Sequence, residues 1–442
     1  LDYLASPTSI IQQAQQLAAT TFGADQTWFL VNGTSVGIHA AVMATCRPGD
    51  CLVLARNCCD TWYVQPHCDE QLGVAHGVHP SSVQQALDAA CSAGKRVTAV
   101  LVVSPTYFGV CSDISGLTDV CHKSHVPLIV DEAHGSHFAF DSAFPQSGLS
   151  CGADCVIQSS HKTLSALTQA AMLHIKGDYI DTGRVSRALQ LLQSSSPSYL
   201  LMASLDGARA HAQQPGIWEE PLRAGQLSTA KLQELMRLQV VSSYYVGTRG
   251  IAAVDPLRIT VGVQRLGLTG SQVSTILEDE YGVVAELATQ QVVVFALGIG
   301  TTMNDAEKLV AAFQNLHQKF QDAPALAHQL ASERPPSSSR AGSSQADDAD
   351  ILQLSVDAGN SLQLMSLRSA FFAKSVRVTG AAAVGRVSAE LLCPYPPGVP
   401  VAIPGEVLQN ETIQLLLRVL ETGGTVTGPS DPTLSTFLVV AT

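Results

Sequence analysis

Six short apolar runs within the first 180 positions constrain this chain more than any other feature. They are Trp28 to Val31, Cys51 to Ala55, Val97 to Val103, Val126 to Val130, Cys155 to Ile157 and Ala170 to Ile175. Helical patterns separate several of them, among them the stretch ending at Thr45, Ser82 to Ala93 and Ile114 to His122. A strand apolar at every position, rather than at alternate ones, must be covered on both faces. Strands of that kind alternating with helices predict a doubly wound α/β domain with a mostly parallel sheet. Before the first run, Ile10, Ile11, Ala14, Leu17 and Ala18 mark one face of a helix that stops at Gly23.

The remainder of the 442 residues divides by the same signals. Residues 1–250 form the expected major domain. Residues 251–322 read as a smaller α+β domain, with strands at Leu257 to Val263 and Val292 to Leu297 and helices at Ser271 to Tyr281 and Asp305 to Phe320. Residues 323–350 are rich in Ser, Ala and Pro and read as a flexible linker. Residues 351–442 form a further C-terminal domain with a helix from Glu411 to Thr422.

Composition excludes several functions. Lys+Arg number 25 against 37 Asp+Glu, a formal charge of −12, which gives no electrostatic footprint for nucleic acid or an anionic membrane. No window approaches the roughly 18 consecutive apolar residues of a membrane span. Ten of the 11 cysteines precede residue 156, without paired CxxC knuckles, so no metal site is expected and the thiols read as reduced and structural. The chain starts at Leu1, so a targeting peptide would not be visible; a cytosolic location is the default expectation, with the chloroplast as its rival.

Three segments fall where predicted strands end, the edge at which open α/β sheets bind ligands. Asn32-Gly33-Thr34-Ser35-Val36-Gly37 lies between a strand and a helix. Its backbone amides and two hydroxyls can hold a phosphate, although a plain helix cap has the same letters. Pro127-Leu128-Ile129-Val130-Asp131-Glu132-Ala133-His134-Gly135 ends a buried strand in an acid. Asp131 could serve as metal ligand, salt-bridge member or partner of a protonated ring nitrogen. The letters DEAH also occur in helicases, but no GxxxxGK[ST] precedes them and the chain is acidic. Gln158-Ser159-Ser160-His161-Lys162-Thr163 places a lysine among small polar residues after another buried strand. A lone lysine is usually a solvated charge. A phosphate loop, a strand-end carboxylate and a lysine together are the parts that pyridoxal phosphate requires.

With these motifs in this order, the chain resembles the group I Orn/Lys/Arg decarboxylases, and the biosynthetic arginine decarboxylase branch most. The resemblance runs from Leu1-Asp2-Tyr3-Leu4 through Asp131-Glu132-Ala133-His134-Gly135, Ser159-Ser160-His161-Lys162-Thr163 and Ser194-Ser195-Ser196-Pro197-Ser198-Tyr199. It ends at Ser388-Ala389-Glu390-Leu391 and Pro394-Tyr395-Pro396-Pro397-Gly398. It implies an aspartate-aminotransferase-like major domain followed by smaller α+β domains. The implied activity is loss of the α-carboxylate from arginine, lysine or ornithine, leaving a polyamine precursor and CO₂. Lys162 would carry the cofactor, Asp131 would pair with its ring nitrogen, Ala133 would lie against the ring and His134 near it. Thr34, Ser35, Ser159 and His161 would hold the phosphate, with Lys162, Asp131 and His161 as the catalytic set. Ser194 would reach the phosphate of a second subunit, implying a homodimer or higher homo-oligomer. Glu390 could bind the substrate's distal cation, or be a surface carboxylate.

Two departures from the family's pattern stand out. The family's N-terminal His-Pro-Gly-His-Lys-type motif precedes the position of Leu1 and so is not among these residues. The family's His-Lys-Ser run, whose histidine stacks on the ring, is replaced by Arg56-Asn57-Cys58-Cys59-Asp60-Thr61 before Trp62-Tyr63-Val64. Between a strand ending at Arg56-Asn57-Cys58 and the strand-like Tyr63-Val64, only about four residues are then left where a parallel crossover takes a dozen or more. Either Tyr63 to Gln65 is not a parallel strand, or the chain descends from a defective or mis-spliced form. The alternative function is therefore a non-catalytic pseudoenzyme or regulatory subunit. Aminotransfer is a further possibility, with Arg368, Arg377 and Arg386 as candidate carboxylate clamps.

Overall fold

The structure is a computed structural model and describes residues 2–55, 62–64, 68–69, 72–247, 250–322, 364–395, 400–421 and 424–441. Among them, seven strands build the main sheet: β1 (Gln26–Leu30), β2 (Cys51–Ala55), β3 (Trp62–Val64), β4 (Val97–Val103), β5 (Leu128–Asp131), β6 (Cys155–Gln158) and β7 (Ala171–Ile175). Their spatial order is β1-β7-β6-β5-β4-β2-β3. β6, β5, β4, β2 and β3 run parallel, and β7 is antiparallel to both of its neighbours.

The continuous apolar runs are explained by the two cores they serve. Val100, Val102, Leu128, Val130 and Val156 face one core. Their sequence neighbours Ala99, Leu101, Ile129, Cys155 and Ile157 face the other. Side chains alternate across a strand, so a sheet covered on both faces needs an apolar residue at every position. Helix α2 (Gly33–Thr45) covers the second face through Val36, Ala40, Ala41 and Ala44. Helix α1 (Ile10–Phe22) covers the first and ends at Gly23 with φ 75°, as its sequence predicts. Its buried stripe is Ile11, Gln15, Ala18, Ala19 and Phe22, whereas Ile10 and Leu17, expected on the inner face, are exposed.

β3 settles one expectation. Trp62–Val64 does pair parallel to β2, with Val53 opposite Trp62. The connecting residues 56–61 lie outside the described residues. A dozen residues are needed to return along a full strand, but β3 enters level with Val53, two residues before the end of β2. The return is then on the order of 10 Å, within the reach of six residues at ~3.3 Å each.

A second, antiparallel sheet follows: β8 (Gln239–Val240), β9 (Arg258–Gly262), β10 (Leu287–Ala288) and β11 (Val292–Ala296), in the order β8-β9-β11-β10. Two helices, 270–281 and 303–322, lie against it around Phe295, Phe313 and Phe320. The described residues between 364 and 441 hold a separate core around Leu416 and Phe437. The 323–350 linker lies outside the described residues. No described helix is long and apolar enough to cross a membrane.

The start of α2 is set by close packing. A Cβ on Gly37 would meet Leu30 Cδ1, at the end of β1, at 2.7 Å and Ile157 Cγ2, the last residue but one of β6, at 2.9 Å. Gly37→Ala is therefore expected to destabilise the chain by roughly 1–3 kcal/mol through overpacking. A urea unfolding midpoint unchanged from the parent would contradict this.

Candidate active site

Because β7 is antiparallel to both β1 and β6, the C-terminal ends of β1, β5 and β6 share one edge of the sheet. Gly33, at φ 77°, donates its N–H to Gln169 O (3.0 Å), and Gln169 Nε2 donates to Val31 O (2.6 Å). These two bonds hold the 31–35 turn against the loop before β7. The side chain of the N-cap Asn32 makes no bond to the start of α2. Ser159 Oγ, fully buried, reaches Thr34 Oγ1 at 3.4 Å, while Ser35 is exposed beside it. His161 Nδ1 lies 3.0 Å from Ala170 O; a carbonyl only accepts, so this nitrogen carries the ring proton and Nε2 is left over.

Asp131 ends β5 opposite Ile157 of β6. Its Oδ1 accepts the N–H of Ala133 at 3.1 Å. Burial pushes its pKa above the ordinary carboxylate value, opposed by the Ala133 N–H and the charge of Lys162. Lys162 stands in the single turn Ser160–Thr163 that follows β6. Burial pushes its amine below the ordinary lysine range, Arg258 pushes the same way, and Asp131 and Glu286 oppose them. Lys162 Nζ lies 3.0 Å from His134 Nε2. His134 is itself buried, with the Tyr107 ring 4.6 Å away, and its Nδ1 is 3.0 Å from Nη2 of the buried Arg258. Burial first, then the neighbouring cations, hold His134 well below the usual histidine value.

The structure thus brings Asp131, Ala133, His134 and Lys162 into one group, and Thr34, Ser159 and His161 into a second along the same sheet edge. Ser194 sits at that edge by donating its backbone N–H to Asn32 Oδ1 of its own chain (3.1 Å), with its side chain exposed. Glu390 is not a surface carboxylate. It is buried, and its oxygens accept from Ser430 N–H (2.7 Å) and Leu438 N–H (2.8 Å), which ties together the C-terminal segment. The three arginines considered as carboxylate clamps are also engaged elsewhere. Arg377 and Arg386 donate to Ser430 O and Val440 O, and Arg368 lies over the Phe372 ring. Among the described residues, no group of acids, histidines and cysteines is arranged to hold a metal ion.

Sequence reasoning missed Arg258, Tyr107 and Glu286, whose carboxylate accepts the Tyr107 hydroxyl at 2.7 Å. A signal existed for Arg258. It is the one charge in the apolar run Leu257 to Val263, and a buried charge requires a partner. Glu132, beside Asp131, was also passed over. It is fully buried, accepts from Gly148 N–H (2.7 Å) and Gln158 Nε2 (2.6 Å), and continues through Gln158 to His174 and Thr27. This polar line crosses β5, β6, β7 and β1 behind the site.

Comparisons with known proteins point to one family. The Orn/Lys/Arg decarboxylase major-domain family model matches residues 1–248, and the corresponding C-terminal domain model matches 368–427. The arginine decarboxylase of Bacillus subtilis is 33% identical over the whole chain and 87% of its own length. The constitutive lysine decarboxylase of Escherichia coli is 23% identical over 91% of this chain and 67% of its own. The crystal structure of the Francisella novicida lysine decarboxylase superposes with a TM-score of 0.78 at 22% identity, covering 99% of this chain and 73% of that one. The family models and these relatives make the chain an amino-acid decarboxylase, and its fold is of the aspartate-aminotransferase-like class. Within that class, the chain belongs to the Orn/Lys/Arg decarboxylase family.

Burial raises the Glu132 carboxyl from 4.5 to about 8, so the fold favours its protonated form. The stabilisation is complete below pH 4.5, its ordinary value, and is lost as the pH rises to about 8. Relative to Glu132→Gln, which does not titrate, the parent is expected to lose on the order of a few kcal/mol across that window. Thermal unfolding of both proteins over the range checks this; parallel curves would contradict it.

Proposed function

We propose that this chain is a pyridoxal-phosphate-dependent decarboxylase of a basic amino acid, acting as a homodimer or higher homo-oligomer. Arginine is the first candidate substrate because the Bacillus arginine decarboxylases are the more similar relatives; lysine and ornithine follow. The observation that carries the reading is the Lys162 amine, held 3.0 Å from His134 Nε2 in the group that Asp131 completes at the end of β5.

The residues present fit the cofactor. A strand-end carboxylate whose own proton affinity is raised by burial suits a protonated ring nitrogen, which would return it to the charged form. Two hydroxyls, Thr34 and the buried Ser159, meet beside an N-cap whose side chain makes no cap bond, a place suited to a phosphate. When bound, pyridoxal phosphate supplies an aldehyde for covalent attachment and a ring that accepts the electron pair left by CO₂. Lys162 would carry the cofactor and Asp131 would hold its ring nitrogen. Ala133, buried, would lie against the ring, with His134 beside it. Thr34, Ser35, Ser159 and His161 would hold the phosphate, and His161 already has its Nδ1 fixed on Ala170 O, which orients Nε2. Lys162 Nζ and His134 Nε2 are adjacent and can hold the proton that replaces CO₂ at the α-carbon. Ser194, on the exposed edge of the Asn32 turn, is placed to serve a second subunit. Glu390 as the distal-cation ligand would have to keep its backbone bonds while doing so.

One observation favours a second reading, a non-catalytic relative that joins intact subunits. Only residues 56–61 connect β2 to β3, where the resembled family has a helix opened by a ring-stacking histidine. The two readings separate on cofactor binding. Incubation with pyridoxal phosphate followed by borohydride reduction and peptide mapping is expected to label Lys162, with a violet absorbance beforehand. Lys162→Ala is expected to abolish both, and Asp131→Asn to lower turnover by at least on the order of 100-fold. Label scattered over surface lysines, without the absorbance, would overturn the decarboxylase reading.

A further inference from the structure

Arg258 opens β9 and is buried to 4% exposure, yet it belongs to the second sheet and lies 124 positions from His134 in the chain. A guanidinium has only donors. With Nη2 at 3.0 Å from His134 Nδ1, that nitrogen must accept and therefore carries no proton. A neutral imidazole with a bare Nδ1 has its proton on Nε2. Nε2 faces Lys162 Nζ at 3.0 Å, so the imidazole donates and the amine accepts. An ammonium has no lone pair to accept with. An imidazolium would set an N–H against the guanidinium.

We infer that Arg258 is a positioning residue which, by fixing the tautomer of His134, holds Lys162 as a free amine. That is the protonation state in which a lysine is a nucleophile. The inference rests on Lys162 being the cofactor lysine, and it names what prepares it.

Every charge around Lys162 enters the balance. Asp131, from the end of β5, and Glu286, from the edge of the second sheet, favour the ammonium. Burial, the strongest influence, and Arg258 oppose it. Around His134 stand Lys162, Arg258, His161 and His137, which all disfavour an imidazolium. A further observation separates this role from a merely structural one. The second arm of the guanidinium, Nη1, is buried with no partner. A buried, half-satisfied charge costs stability rather than adding it. Stability therefore does not explain an arginine at this position, whereas its donation to His134 does.

The experiment uses the full chain stripped of cofactor. Amine-selective labelling at graded pH, read by peptide mass spectrometry, gives the midpoint at which Lys162 becomes reactive. The parent midpoint is expected below 10.5, the ordinary lysine value. In Arg258→Met it should rise by about one unit, roughly tenfold less free amine at neutral pH, with other lysines unmoved. Arg258→Lys, which keeps a cationic donor, should restore most of the shift. An unchanged midpoint in Arg258→Met, or an equal change at surface lysines, overturns the inference. Where Arg258→Met does not fold, ¹⁵N-histidine NMR of the parent decides. The resonance missing from His134→Gln should show protonated Nε2 and bare Nδ1; the opposite tautomer, or an imidazolium at neutral pH, overturns the inference. Both readouts can fail while the cofactor still binds Lys162 and CO₂ is still released, so they are separable from the decarboxylase reading.

Discussion

The parallel pairing of β5 with β6 is the contact on which the site depends. With Asp131 opposite Ile157, the carboxylate at the end of one strand stands beside the turn that follows the other, and that turn contains Lys162. A slip of one residue would reverse every side chain and carry Leu128 and Val130 out of one core and Ile129 out of the other. The register that fills the two cores is therefore the register that assembles the site. The antiparallel β7 completes the arrangement by bringing the end of β1, and so Gly33 and Thr34, to the same edge.

The second sheet has a chemical as well as an architectural role. Arg258 opens its strand β9 and reaches His134; Glu286 stands near its edge and receives Tyr107. Asp255, three residues before Arg258, meets the buried His137 at 3.1 Å, which locks the approach to β9 onto the turn after Asp131. The orientation of the two units thus bears on the protonation of the lysine through the contact of Arg258 with His134.

Much of this was legible in the sequence. Continuous apolar runs are diagnostic of strands covered on both faces; Asp131 stands out because a charge at the end of such a run needs a chemical reason, and Lys162 because it completes a set with Asp131 and the phosphate loop. Arg258 carried the same signal more faintly, as the one charge in the run Leu257 to Val263. At the start of an isolated apolar run a single arginine reads as a solvated charge, and its partner lies in another sheet. The burial of Glu390 was not legible for a related reason, since backbone amides of residues 430 and 438 leave no trace in the letters around it. The short path from β2 to β3 looked impossible because the crossover rule assumes strands of full length, and β3 has three residues.

On the proposed function, this edge of the sheet removes a carboxylate from a basic amino acid. Arginine, lysine and ornithine labelled in the α-carboxyl carbon, each incubated with the cofactor-loaded protein, test it directly. Labelled CO₂ released in step with amine product from at least one of the three, arginine first, is the predicted result. A protein with its cofactor bound at Lys162 that releases no labelled CO₂ from any of them would contradict the account.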